Sequence, residues 1–375
     1  MNGDVLDDKV MNPIASKVGD FGQYTCEYQM TFAWTESKKN DFTYDLADAV
    51  VDQANKYGMI MRCHSLVWHQ SLPSWVTSAK WTNATLLAVM KNHITNVVKH
   101  FQGKCYAWDV VNEALYTDGS YRGSYQSSTE ESSLWYETIG EAYIPIAFAT
   151  ASAADPSAKL YYNDYDIEVP DTQGDKIQGV HNLVAMLSEY QAPIHGIGLE
   201  GHFNASKMPS VEDLISGLQN FSSLGLEVAY TELDVQSPTS DPDRTGEAMG
   251  YANAVTACLR SANCVGWTVW GFTEKYSWLT NCDPSAEGDL WDDDGIQNLA
   301  YDYALTSLPT CWGWRCFNGN TTTVSTTSST SAIVSVTATG VTNSSGVGLG
   351  LSVANGSFVV AVGLNSSRTD LGLSA

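Results

Sequence analysis

The chain has 375 residues, 43% of them hydrophobic, with 19 basic against 42 acidic side chains and a formal net charge of −23. This length and composition suffice for one large domain and an additional segment, and the charge disfavours nucleic acid, anionic membrane surfaces and polyanionic substrates as partners. No apolar run reaches 18 residues, so no membrane-spanning helix is expected.

Short strand-like runs recur along the first 308 residues: QYTCE (23–27), MIMRCHSLVW (59–68), CYAWDVVNE (105–113), KLYYND (159–164), HGIGLEGH (195–202), LEVAYTELDV (226–235) and VGWTVWG (265–271). The segments between them carry helical periodicity. In LLAVMKNHITNVVKHF, Leu86, Val89, Met90, Ile94, Val97, Val98 and Phe101 fall on one face. Such repeated βα units predict an α/β fold, and over this length they close most often as an eight-stranded (β/α)8 TIM barrel. Residues 1–308 are assigned to that barrel and 309–318, with CWGWRC, to a small cysteine-containing loop. The Ser/Thr-rich, nearly uncharged 319–375 is assigned to a disordered tail.

A barrel gathers its chemistry at the C-terminal ends of its strands. Two apolar strands end there on a carboxylate, Glu113 after WDVVN and Glu232 within AYTELD, and other strands end near His64, Asn163 and His202. Paired carboxylates on one rim suit glycosidic bond cleavage, which needs one acid for the leaving oxygen and one carboxylate for the sugar cation. Trp68, Trp270 and Trp278 lie beside these strand ends, and an indole offers a flat apolar face to a sugar ring.

Seven N-x-S/T sequons, at Asn83, Asn204, Asn220, Asn320, Asn343, Asn355 and Asn365, together with eight cysteines, point to an oxidising, secretory setting. The protein is therefore expected to be secreted and extracellular. Surface anchoring is weakly suggested by GVGLGLSVANGSFVVAVGL near the end and opposed by the polar NSSRTDLGLSA that follows.

The motifs carry a specific resemblance. RCHSLVWH (62–69), WDVVNEA (108–114), TELD (231–234) and CVGWTVWGFTEKYSW (264–278) are similar to segments of glycoside hydrolase family ten, a group dominated by endo-β-1,4-xylanases. The resemblance implies a retaining reaction with Glu113 as general acid/base and Glu232 as nucleophile, about 5–5.5 Å apart. It also implies that His202 orients Glu232, that Asn112 bonds the sugar 2-hydroxyl, and that His64, Trp68, Trp270 and Trp278 wall the reactive subsite. Glu27, Asn163, Tyr165 and Glu200 complete the substrate-binding set. A Cys258–Cys264 disulfide is implied as well, whereas the partners of Cys26, Cys63, Cys105, Cys282, Cys311 and Cys316 stay open.

The departures cluster in one place. Where the family reads E-N-x-M-K-W, this chain reads EYQMTF, with Tyr28 and Thr31 replacing two sugar-contacting residues. Ser71 stands where a glutamine is usual, with Gln70 shifted by one, and Glu200 stands where many members have glutamine. The expected activity is cleavage of xylan by an endo-1,4-β-xylanase. The alternative is a tomatinase-like hydrolase removing an oligosaccharide from plant steroidal glycoalkaloids, as some family members do. A noncatalytic sugar-binding surface protein is disfavoured because both glutamates are present.

The expected partner is thus a plant cell-wall polysaccharide or plant glycoside met by a monomer. No metal or cofactor is expected: His64 and His69 form no H-E-x-x-H pair, and the glycines form no phosphate loop. His69, His100 and His181 are assigned to ordinary packing or the surface. Finally, 23–27 reads as the second strand of such a barrel, so an upstream first strand and a signal peptide are expected to precede Met1.

Overall fold

The computed structural model describes residues 3–123, 132–170, 175–238, 244–308, 311–312 and 315–316. Its centre is a curled parallel sheet of seven barrel strands: β1 (Gln23–Thr25), β2 (Ile60–Trp68), β3 (Cys105–Asn112), β4 (Lys159–Asp164), β5 (Gly196–Leu199), β7 (Glu227–Pro238) and β8 (Cys264–Val269). A short β6 (His202–Asn204) continues the line of β5 along β7, and β9 (Ala286–Glu287) pairs antiparallel with the end of β7. All seven regions anticipated from apolar runs are strands. The run at 195–202 is divided in two because Gly201 takes φ +79°, a left-handed conformation that interrupts an extended chain.

These strands are buried along nearly their whole length, as expected of a parallel sheet covered by helices. The helix Asn83–His100 shows why the local sequence folds as it does. Thr82 and Thr85 form reciprocal side-chain to backbone bonds at its start, and Leu86, Val89, Met90, Ile94, Val97 and Val98 are buried below it. His100 lies at its surface end, 2.8 Å from Asp48, and the His181 ring packs beside Phe221.

The ladder runs β1-β2-β3-β4-β5-β7-β8, and no strand of the described residues stands between β1 and β8. One side-chain bond crosses this interval, from Gln23 Nε2 to Thr268 Oγ1 at 2.7 Å. Tyr24 from β1, Trp267 and Val269 from β8, and Ala304 and Leu305 from the helix Leu299–Ser307 line a cavity there. Two short helices, Gly3–Asp7 and Met11–Ala15, lie against it through Val5 and Ala15, and Lys275 Nζ pairs with Asp8 at 2.7 Å. Beyond the last helix, Cys311–Trp312 and Arg315–Cys316 form a two-residue antiparallel ladder. The Ser/Thr-rich stretch assigned to a tail lies outside the described residues.

Among the described residues, two disulfides tie the barrel. Cys258 and Cys264 are joined, the pairing the family resemblance implied, and Cys63 is joined to Cys105. The second could not be read from the sequence, because it depends on the register that sets Met61 opposite Cys105 across β2 and β3. Cys26 is a buried free thiol and Cys282 an exposed one. The Cys63–Cys105 link closes a loop of 42 residues. In the loop-entropy picture such a constraint contributes about 2–4 kcal/mol. We expect Cys63→Ala/Cys105→Ala to lower unfolding free energy by about that amount in denaturant titration; a change below ~0.5 kcal/mol would show that the pair adds nothing.

Candidate active site

Glu113 and Glu232 sit at the strand ends that the barrel rule designates. Glu113 follows the last residue of β3, and Glu232 lies within β7 where that strand passes the rim. Both are largely buried, at 9% and 5% exposure. Glu113 adopts φ +51°, a region a side-chain-bearing residue occupies only when its surroundings hold it there. Here two backbone bonds do so: the Glu113 N–H donates to the Asn163 carbonyl at 2.9 Å, and Arg122 Nε donates to the Glu113 carbonyl at 2.8 Å.

The two carboxylates are linked through a pair of amides. Asn112 Nδ2 donates to Glu113 Oε1 at 3.1 Å, and Asn163 Nδ2 donates to Asn112 Oδ1 at 2.8 Å and to Glu232 Oε1 at 2.9 Å. Asn163 Oδ1 in turn accepts from Thr231 at 2.6 Å, which fixes which end of the amide faces Glu232. The bare backbone of β5 makes room for this: a Cβ at Gly198 would fall 2.1 Å from Asn163 Oδ1.

Their surroundings treat the two carboxylates differently. Burial pushes Glu113 up to about 7, with Asp164 and Glu232 adding to the rise while Trp68 and Arg122 oppose it. Glu232 is set between two imidazoles. His202 Nε2 lies 3.5 Å from Glu232 Oε2 and His64 Nδ1 lies 3.8 Å from Oε1. Burial works against charge on His202, but Asp234, bonded to its Nδ1 at 2.9 Å, and Glu232 outweigh that and hold the ring well above the usual imidazole range. Burial likewise opposes charge on His64, and its bond to Asp109 with the nearby Glu232 raises it nonetheless. An acid pushed upward by burial beside a second carboxyl group faced by two imidazoles is an arrangement suited to two-carboxylate glycoside chemistry.

The three tryptophans stand around His64 and His202. The Trp270 ring stands 5.3 Å from His64 and the Trp68 ring 6.1 Å from it, both edge-on. Trp278 packs 4.9 Å from His202 and donates its indole N–H to Asp234 at 2.8 Å, leaving 37% of its surface exposed for a ligand. Trp135 braces the wall from behind by donating to the Trp68 carbonyl at 2.9 Å. Tyr165 accepts from Arg122 at 2.6 Å and lies under Lys176, which pairs with Asp164 at 2.9 Å. Glu27 follows β1, where burial pushes its carboxyl upward and the charge of Glu232 adds to the rise. Glu200 follows β5, and its Oε1 accepts from Asn163 at 3.2 Å.

Three of the substituted positions also meet. Thr31 Oγ1 and Ser71 Oγ are 2.6 Å apart, Thr31 donates to the Tyr28 carbonyl at 2.8 Å, and the Tyr28 ring packs on Trp34. Small hydroxyls bonded to each other thus occupy the ground where long polar side chains were to be expected.

One assignment is corrected. His69, given to packing or the surface, places Nδ1 3.9 Å from Glu113 Oε2. Burial, with Arg122 and Lys176 nearby, holds it down to about 3, so it is a neutral ring beside the acid. The signal was present in RCHSLVWH, whose last residue follows Trp68 at the end of β2. Arg62, Asp109, Arg122, Asp164, Lys176 and Asp234 were also missed. Each acts through a partner on another strand or helix, which no local spacing records.

Glu200, His202 and Glu232 bring donor atoms within 4.8 Å of one another. Both nitrogens of His202 face carboxyl groups, Nε2 toward Glu200 at 3.6 Å and Nδ1 toward Asp234 at 2.9 Å.

Residues 3–307 match the family profile described as Glycosyl hydrolase family 10. The chain is 41% identical over 311 residues to endo-1,4-beta-xylanase D of Talaromyces funiculosus, covering 82% of this chain and 73% of that one. It is 40% identical over 305 residues to endo-1,4-beta-xylanase 1 of Gibberella zeae, covering 78% and 82%. Among solved structures, a xylanase of Bispora sp. MEY-1 with bound xylobiose superposes with a TM-score of 0.74 at 38% identity, covering 80% of this chain and 92% of that one. Xylanase 10B of Thermotoga maritima superposes with a TM-score of 0.76 at 32% identity, covering 82% and 93%. The barrel, its rim of paired glutamates and these matches have one reading: the chain belongs to glycosyl hydrolase family 10.

Proposed function

We propose that this chain is a retaining endo-1,4-β-xylanase that cleaves plant xylan, with Glu232 as nucleophile and Glu113 as acid and then base. The observation that carries the reading is the amide bridge through Asn112 and Asn163, which joins two buried carboxyl groups, one of which, Glu113, is pushed upward by burial. In the first step Glu232 attacks the anomeric carbon while Glu113 gives its proton to the leaving oxygen. In the second, Glu113 takes a proton from the water that releases the sugar. His202 and His64 hold Glu232, Asn112 meets the sugar hydroxyl next to the bond, and Trp68, Trp270 and Trp278 stack on the chain. Xylanase names among relatives near 40% identity support the substrate.

The sequons and disulfides support secretion, where such a polymer is met, and a monomer suffices because every proposed group comes from one chain.

The Thr31–Ser71 contact favours one second reading, a tomatinase-like action on a hexose-bearing glycoalkaloid, since a site relieved of long side chains can take a bulkier sugar. Product analysis on xylan, xylo-oligosaccharides and α-tomatine separates the two. We expect short xylo-oligosaccharides from internal cleavage, released first as the β-anomer in proton NMR. Release of an intact oligosaccharide from tomatine with no action on xylan would establish the second reading, and an initial α-anomer would refute retention.

A further inference from the structure

Glu200 is a third carboxyl group in a site whose chemistry uses two. It is 2% exposed and fixed by its backbone on both sides, its N–H donating to the Asp164 carbonyl at 3.0 Å and its carbonyl accepting from Glu232 N–H at 2.8 Å. Its side chain shares both supports of Glu232. Asn163 Nδ2 faces Glu200 Oε1 at 3.2 Å and Glu232 Oε1 at 2.9 Å, and His202 Nε2 faces Glu200 Oε2 at 3.6 Å and Glu232 Oε2 at 3.5 Å.

The charges around it are committed elsewhere. On β7, Glu232 and Asp234 face the cluster, and Asp234 holds the far side of His202. On β4 and the helix Asp175–Glu189, Asp164 pairs with Lys176 at 2.9 Å. Past β3, Glu113 adds a second carboxyl group, and Arg122 gives its contacts to Tyr165 and to the Glu113 carbonyl. On β2, His64 belongs to Asp109 and leans toward Glu232. Past β1 stands Glu27, whose charge couples to Glu232. One shared imidazolium would therefore have to serve two buried carboxylates if Glu200 were ionised.

We propose that Glu200 is a positioning residue that must remain a neutral carboxylic acid for the site to work, so that His202 and Asn163 serve Glu232 alone. Ionised, it divides those two donors with Glu232, turns the nucleophile from its aim, and adds a negative charge beside Glu113. Burial, with Glu232 and Glu113 close by, pushes its carboxyl well above the ordinary carboxylate range, in line with the geometry. The inference rests on the two-carboxylate reading above for its kinetic consequence, but not for its effect on folding.

The test compares the full chain with Glu200→Gln, a neutral isostere, in two measurements. In kcat/KM against pH on xylo-oligosaccharides, each profile is scaled to its own acidic plateau. The wild type must keep two protons, on Glu113 and Glu200, so its alkaline limb should steepen toward two decades per pH unit while the variant keeps one. Their scaled ratio should then grow about tenfold per pH unit beyond the break. Parallel limbs, or a raised KM with an unchanged profile, would overturn the proposal and make Glu200 an ordinary sugar contact.

The second measurement is melting temperature against pH. A carboxyl raised by folding lends stability that is full below its unfolded value and is lost as pH rises through its folded one. The variant should gain on the wild type by about 2–4 °C as pH rises from about 5, and a constant difference would overturn the proposal. A wild type inactive on every xylan substrate would refute the functional reading while the melting series still decides the state of Glu200.

Discussion

Glu113→Ala and Glu232→Ala are expected to abolish xylan hydrolysis in different ways. Glu113 supplies a proton to a poor leaving group, so its loss should cost about 10²–10⁴-fold on xylan. An aryl xylobioside whose phenol leaves without help should still be cleaved at the first bond, and the glycosyl-enzyme should accumulate as a burst. Azide, an anion that needs no base, should then accelerate turnover and yield a β-glycosyl azide. Glu232→Ala has no nucleophile to form that intermediate, so no burst should follow on any substrate, and a loss of roughly 10⁴-fold or more is expected. Equal losses without azide rescue at either position would end the role assignment. The pH dependence follows from the same residue: the acid form of Glu113, held up to about 7, is the active one, so wild-type activity should fall as pH rises past that point. In Glu113→Ala, acting on the aryl substrate, the share of that fall due to Glu113 should disappear, leaving the single-proton limb assigned to Glu200.

The carboxylates were legible because each ends an apolar run, and a barrel puts such ends on one rim. Trp68 and Trp270 were legible for the same reason, since Trp68 closes β2 and Trp270 follows β8. What the sequence does not record is how strands far apart in the chain meet. Arg62 and Asp109 are 47 residues apart and touch because β2 and β3 are neighbours in register. Glu113 and His69 meet across the same pair of strands, and Cys63 finds Cys105 there too. Lys176 reaches Asp164 from a covering helix. Each of these contacts follows from topology, and a residue list read in order shows only one partner at a time.

The helical segments divide along a similar line. The helix Asn83–His100 was recognised because its apolar residues repeat on one face. The helix Tyr143–Ala154 buries residues over much of its circumference, among them Ile144, Pro145, Ala147, Phe148 and Ala151, so it carries little periodic signal to read. Its place is set by packing between its neighbours and not by an amphipathic pattern.

The largest effect on stability is expected at Asp109, whose loss would leave a buried cation without its partner. Arg62 Nη2 donates to Asp109 Oδ1 at 2.5 Å, the two side chains are 3% and 1% exposed, and the guanidinium lies over the Tyr161 ring at 4.3 Å. His64 Nδ1 bonds the other oxygen at 3.1 Å. Burial alone would raise the Asp109 carboxyl, yet Arg62 and His64 hold it below the usual carboxylate range, so it folds as an anion. Asp109→Ala strands the guanidinium in the barrel interior and should cost about 3–5 kcal/mol, the penalty of breaking a buried pair from one side. Replacing both, as Arg62→Met/Asp109→Leu, removes the stranded charge and should return most of that loss, because the desolvation penalty of the pair disappears with it. The double variant should nevertheless stay impaired on xylan, since His64 loses the acceptor that fixes its ring against Glu232. The carboxyl also sets a pH dependence: a group lowered by folding contributes stability present above its unfolded value, and that contribution is lost as pH falls through the lower folded one. Denaturant titration of the wild type and the two variants at neutral and acidic pH checks each step. A single-variant loss under ~1 kcal/mol, or a double variant no better than Asp109→Ala, would show that the interior of this barrel is wet enough to screen the charge.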